Sequence, residues 1–348
     1  MTTAESIRPT ATDGAASATK RPSSDYADLM GQVRRAGLLE RRTAPHLLRI
    51  ALNAALYLGG WAAFAVIGDS WWNLLTAVYL ALVFTWTGFL AHEAGHKQLF
   101  RTRRANDLAG VLQGNLAIGL AYGWWVDKHH RHHANPNTEG LDPDIDSEVI
   151  AFTEAQSRSR GGARRWLARH QALAFFPLLL LEAVSLHVQG IQAIARPGYR
   201  QRGREALLFG AHVAAYFIVI FLVLSPLKAV LFIAVQQGLL GLYLGLAFAP
   251  NHKGMPILSA DDDSDFLRRQ VLTSRNVRGG PVTDMMLGGL NYQIEHHLFP
   301  SMPRSALRHA RPIVQEHCRR IGLPYAETGL VDSYRQALGH LRDVGRTD

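Results

Sequence analysis

Four stretches of this chain carry no charged residue: 50–68, 70–91, 206–227 and 229–250. At about 1.5 Å of rise per residue, each is long enough as a helix to cross a hydrocarbon core about 30 Å thick. Lipid offers the backbone no hydrogen-bond partner, so an uncharged run of this length has to satisfy itself as a helix. Four such runs specify an all-α integral membrane protein. Only Asp69 interrupts the first pair and only Lys228 the second, so the spans form two hairpins.

The intervening segments 1–49, 92–205 and 251–348 then lie on one side of the membrane. They hold nearly all of the 37 Lys and Arg residues. The positive-inside rule puts them, and both termini, in the cytoplasm. The same rule accounts for a net charge of +9, so no nucleic-acid partner is expected. The single cysteine, Cys318, excludes an intrachain disulfide. Residues 1–25, rich in Ala, Thr and Ser with no apolar run, read as a disordered tail without a signal peptide. Residues 26–348 are expected to form one membrane domain. Two further apolar stretches, 108–126 and 171–195, are expected as interfacial helices, with a six-span topology as the alternative. Gly110, Gly114, Gly119 and Gly123 in the first suit close helix packing. Five arginines between Arg158 and Arg169 place the approach to the second at lipid head groups.

Half of the sixteen histidines are clustered. The second span ends in His92-Glu93-Ala94-Gly95-His96. His129-His130-Arg131-His132-His133 follows, and Gln293-Ile294-Glu295-His296-His297 comes much later. His92 and His96 stand at i and i+4, and His129, His132 and His133 at i, i+3 and i+4. Gln293, His296 and His297 repeat the second spacing, so each segment gathers nitrogen donors on one helical face. His130 points elsewhere. The seven box histidines, or eight with His252 after the fourth span, exceed what one ion can hold, so two metal ions are implied. Imidazole suits Fe, Zn, Cu and Ni alike. His46, His170, His187, His212, His309, His317 and His340 stand alone and read as packing or surface residues. The spacing of Asp142, Asp144 and Asp146 suggests a calcium loop but fails it at Ser147 and Thr153.

In these motifs the chain resembles the membrane-bound fatty acid desaturases. All three boxes appear in order. The second continues as His132-His133-Ala134-Asn135-Pro136-Asn137 with Asp142-Pro143-Asp144, and the third reads from Asn291 to Pro300. Glutamine at the head of the third box is similar to the front-end desaturases, which act between an existing double bond and the carboxyl end.

The resemblance implies four membrane helices and a cytoplasmic helical cap that carries two iron ions. It implies His92, His96, His129, His132, His133, His296 and His297 as ligands, with His252 as the additional one. Gln293, where many relatives carry histidine, is expected to ligate weakly or through water. Glu93, Asp142, Asp144 and Glu295 are expected to accept the ligands' outer N–H groups. Removing two hydrogens from an unactivated methylene pair is beyond any side-chain acid or base, so a redox metal and O2 are required, which favours iron over zinc. The acyl substrate is carried as a lipid or as acyl-CoA. No His-Pro-Gly-Gly haem signature, dinucleotide fingerprint or cysteine cluster is present. Electrons are therefore expected from a separate carrier such as a ferredoxin. The rivals are a hydroxylase or ketolase of the same metal type, a zinc protease with Glu93 as its base, and a metal transporter.

Overall fold

The structure, a computed structural model, describes residues 24–41 and 43–346. Most of the expected N-terminal tail lies outside the described residues. Its last two residues begin the first helix, where Ser24 Oγ accepts from Ala27 N at 3.2 Å. In chain order the helices are α1 (Asp25–Arg35), α2 (Thr43–Ile67), α3 (Asn73–Gly95), α4 (Arg103–Val111) and α5 (Tyr122–Ala134). There follow α6 (Glu154–Arg158), α7 (Gly162–Leu179), α8 (Glu182–Ala195), α9 (Arg202–Val223) and α10 (Pro226–His252). The last five are α11 (Phe266–Leu272), α12 (Pro281–Met286), α13 (Gln293–Leu298), α14 (Arg304–Arg320) and α15 (Leu330–Arg346). Strands β1 (Asn276–Arg278) and β2 (Glu327–Gly329), paired in parallel, are the one departure from all-α among the described residues.

The four expected spans lie in α2, α3, α9 and α10, each extended into flanking residues. Burial distinguishes them: 61% of the apolar window of α3 is inside the protein, against 17% for α2. Thus α3 is the central element and α2 presents Leu47, Leu48 and Leu58 outward, as a helix against lipid does. Each hairpin is closed locally. Gly68 turns the first with a positive φ of 68°, and Asn73 Nδ2 donates to Phe64 O and Gly68 O. Pro226, which needs no N–H partner, starts α10. Asp69 then joins the two hairpin tips, accepting from Ser225 N at 2.8 Å and pairing with Lys228 at 3.2 Å. Between the spans Phe64, Phe84, Tyr216, Ile220 and Phe232 form a buried core.

Neither of the two further apolar stretches is a straight span. The first breaks after a π-helical turn, Leu112–Ala117, and resumes only at α5. His212 Nδ1 bonds Leu116 O and His187 Nδ1 bonds Gly119 O, so two of the lone histidines hold backbone carbonyls that the break leaves open. The second stretch bends by 83° between α7 and α8. Pro177 lies just before the bend. Gly241 of α10 receives it so closely that a Cβ there would stand 2.6 Å from Leu179 O. Among the described residues the count is four spans, or five if the bent pair is one broken span, and not six.

Helices α11, α13 and α14 pack with α1 over the histidine-bearing end of the spans, while α15 packs against α7 and α10. Leu29, Val33, Leu267, Ile294, Phe299, Val314 and Cys318 share their core. The short sheet fixes α13 within it. Asn276 Oδ1 accepts from Ile294 N at 2.9 Å, and Val277 N donates to Asn291 O at 2.9 Å.

Candidate metal centre

Four helices supply the histidines. His92 sits in the last turn of α3 and His96 caps it; His129, His132 and His133 lie on α5. His252 ends α10, and His296 and His297 lie on α13. Their ligand atoms form two groups, each lying within 4.8 Å: His92, His96, His129, His133 and His296 in one, His132, His252 and His297 in the other. Helices α5 and α13 each serve both groups. His132 is rotated by about 60° from His129, and His297 by about 100° from His296, so neighbouring residues aim at neighbouring points. The groups adjoin, with the His133 and His297 rings stacked at 4.1 Å. His130 belongs to neither group.

In the three-histidine group the outer nitrogens are all engaged. His132 Nδ1 meets both oxygens of Asp142 at 3.0 Å. His252 Nδ1 bonds Thr273 O at 3.0 Å, and His297 Nδ1 bonds Gln270 Oε1 at 2.9 Å. Acceptors on every Nδ1 put the proton there and leave the Nε2 lone pairs facing inward. His252 Nε2 and His297 Nε2 are only 3.0 Å apart. Two lone pairs at that distance repel unless a cation lies between them. Gln293 Nε2 donates to His252 Nε2 at 2.8 Å, and its Oε1 accepts from Asn251 Nδ2 at 3.3 Å.

In the five-histidine group the Nε2 atoms of His92, His96 and His133 stand 3.0, 2.9 and 3.1 Å from His129 Nε2. Burial holds His96, His129, His133 and His296 well below the ordinary histidine pKa, so these rings are neutral donors of lone pairs. His296 Nε2 is buried without a protein partner. Crowded neutral imidazoles with an unpartnered buried nitrogen fit a metal ion, and two groups fit two ions. Burial also acts against a charged His132, but Asp142 and Asp144 outweigh it and hold the ring above its usual value.

The four carboxylates expected beside the ligands divide evenly. Asp142 bonds His132 directly, and Asp144 approaches it at 3.5 Å while pairing with Lys128. Glu93 and Glu295 reach none of the box histidines. Glu93 accepts from Arg49 Nη1 at 2.6 Å and Nη2 at 2.5 Å, meets His46 at 3.2 Å and lies 3.9 Å from Arg304. A carboxylate tied up in this way is no protease base, which removes the zincin alternative. Glu295 accepts from Asn276 at 2.7 Å and Tyr325 at 2.8 Å, and burial pushes its pKa up to about 7 despite both bonds.

Gln270 and Thr273 carry no signal in the sequence, and His46, expected as a packing or surface residue, proves to be a partner of Glu93. His46 sits three residues before Arg49 on an exposed helix, a spacing that alone signals nothing. Gln270 lies in the short helix α11 and Thr273 caps its C-terminus, with no repeated ligand type to flag either.

A family model for fatty acid desaturases matches residues 69–329, three quarters of the chain. Among similar proteins is an acyl-lipid (9-3)-desaturase of Physcomitrium patens, 28% identical over 92% of this chain and 62% of the relative. The Delta(6)-fatty-acid desaturase fat-3 of Caenorhabditis elegans is 33% identical over 78% of this chain and 65% of the relative. The Delta(5) fatty acid desaturase fat-4 of the same organism is 32% identical over 75% of this chain and 60% of the relative. The chain thus spans less than two thirds of the length of each of these relatives.

Proposed function

The chain belongs to the fatty acid desaturase family, and from that premise we propose that it desaturates a fatty acyl chain with O2 at a pair of iron ions. The observation that carries the reading is the division of eight imidazoles into two adjoining groups. His92, His96, His129, His133 and His296 are assigned to one iron, and His132, His252 and His297 to the other. Gln293 stands at the edge of the second site, directly or through a water.

Overall, a methylene pair, O2, two electrons and two protons become an alkene and two waters. When bound, the metal pair supplies the redox chemistry for C–H cleavage that no side chain of the protein can supply. The protein's part is positional. Asp142, Thr273 O and Gln270 hold the Nδ1 protons of their three ligands and so fix the ring planes. The cap helices cover the ligands and keep water from the reacting carbon.

We assign the ligand-bearing side and both termini to the cytoplasm, from the distribution of Lys and Arg, and residues 26–348 to one functional unit. The relatives named Delta(6) and Delta(5), together with the glutamine at the head of the third box, support a front-end position for the new double bond. A separate electron carrier such as a ferredoxin is assigned to the same side.

Expression in a host of known lipid composition, followed by mass spectrometry of its fatty acids, tests the reading. A new unsaturated acyl chain is expected, absent with His132→Ala although the variant protein stays in the membrane. A hydroxylated or ketonic product would instead select the other branch of the same metal chemistry. An unchanged profile from iron-loaded protein supplied with reduced ferredoxin would overturn the proposal.

A further inference from the structure

A cavity of about 390 Å³ lies where α2 and α3 meet α12 and α14. Its chemistry is graded. Leu52, Leu56, Trp86 and Phe89 line one end, and Arg49, Arg304 and Arg308 the other. Arg49 and Leu56 are separated along α2 by about 10 Å, given 1.5 Å of rise per residue. Leu52 is 58% exposed on the helix that is least buried among the spans, so the apolar end opens toward hydrocarbon. The guanidinium end lies at the level where a lipid's phosphate would stand.

The charges there are unequally spent. Arg49 is held in the bidentate pair with Glu93. Arg304 donates to Asp284 O and lies 3.9 Å from Glu93. Exposed Arg308 meets no carboxylate among the described residues; its Nε contacts only His309, at 3.0 Å. Asp284, the acidic residue of the lining, is occupied by Asn291 at 2.8 Å and Tyr292 at 3.2 Å. The net deficit is of negative charge.

We infer that this cavity receives a membrane phospholipid laterally from the bilayer, its phosphate on Arg304 and Arg308 and one acyl chain along Leu52, Leu56, Trp86 and Phe89. The inference rests on the desaturase reading and names the acyl carrier as a phospholipid rather than a CoA thioester. Leu52 opens the apolar end sideways to hydrocarbon, a route that a lipid already in the bilayer takes without leaving it. Arg49 and Arg304 both reach Glu93, the residue after His92, so the head-group end abuts the first histidine box. No histidine of either group lines the cavity, and a chain along Leu52, Leu56 and Trp86 runs from the His92 level into the bilayer, so the cavity is where the lipid enters rather than where its acyl chain reacts.

The test uses the full iron-loaded chain in phosphatidylcholine nanodiscs containing a trace of phosphatidylglycerol with a diazirine on one acyl chain. After illumination, label is expected on peptides containing Leu52, Leu56, Trp86 or Phe89. Unlabelled phosphatidylglycerol should displace it, and oleoyl-CoA at equal concentration should not. Arg308→Gln should weaken labelling about tenfold, the worth of one charge-assisted phosphate contact. Leu52→Trp, which plugs the lipid-facing side without changing charge, should weaken it comparably. Arg319→Gln, farther along α14, should not. Label elsewhere, indifference to both cavity variants, or displacement by oleoyl-CoA would overturn the inference.

Iron content and alkene formation are read on the same samples. Cavity labelling without any alkene would sink the desaturase reading while leaving the lipid site. Alkene formed on oleoyl-CoA, between its double bond and the carboxyl end, without lipid labelling would do the reverse.

Discussion

Asp142→Asn separates the two proposed metal positions. Asp142 is 1% exposed and accepts from three donors: His132 Nδ1, shared between its two oxygens at 3.0 Å, Asn137 N at 2.7 Å and Asp144 N at 2.8 Å. Asparagine keeps one of the two oxygens, so its NH2 must face at least one buried donor. A buried donor left unpaired costs about 1–3 kcal/mol. Loss of a carboxylate behind a metal-bound histidine lowers metal affinity about 10- to 100-fold. Both effects fall on His132 and hence on the three-histidine group. The five-histidine group draws no support from Asp142. In a chelator titration followed by iron analysis, the variant should release one iron at a 10- to 100-fold lower chelator concentration and keep the other at the wild-type value. Asp144→Asn should shift release much less, because Asp144 stands 3.5 Å from His132 and is partly exposed. Equal weakening of both irons, or no shift for Asp142→Asn, would refute the reasoning.

Glu93→Gln removes the acceptor of the Arg49 pair. It should cost about 1–3 kcal/mol of stability, below the figure for a fully buried pair because Arg49 is 33% exposed. Thermal unfolding in detergent reads the loss, and iron content should stay at two per chain, because Glu93 touches Arg49 and His46 rather than a histidine of either group. Gly241→Ala drives a methyl into Leu179 O and Ala183 N, both backbone atoms, and should destabilise by about 1–3 kcal/mol in the same assay. Of two neighbours on α5, His129→Ala should lose iron from the five-histidine group, and His130→Ala should keep both ions. Iron analysis of the two purified variants distinguishes them.

The spans and the ligand boxes were legible for different reasons. An uncharged run in lipid has one backbone solution, so α2, α3, α9 and α10 follow from the sequence alone. The boxes follow because histidine at i, i+3 and i+4 leaves few alternatives. The same spacing hid their division between two groups. His129 and His132 share a broad face of α5, and only the positions of α3, α10 and α13 around that face assign them to different groups. The Glu93 pairing was equally out of reach. Glu93 sits between two ligand histidines in sequence, yet a turn of about 100° carries it to the α2 side of α3, where Arg49 and His46 wait. The bend between α7 and α8 was partly announced by Pro177, but its depth depends on Gly241, sixty residues away in sequence. Partners brought together by packing leave no periodic trace.

The central claim is that eight imidazoles hold two iron ions in two groups. Metal analysis of the purified chain beside His96→Ala and His252→Ala tests it most directly. The account predicts about two irons in the parent and about one in each variant, with both lost in the double variant. A parent that carries a single ion, or zinc alone, or two variants that release the same ion, would contradict it.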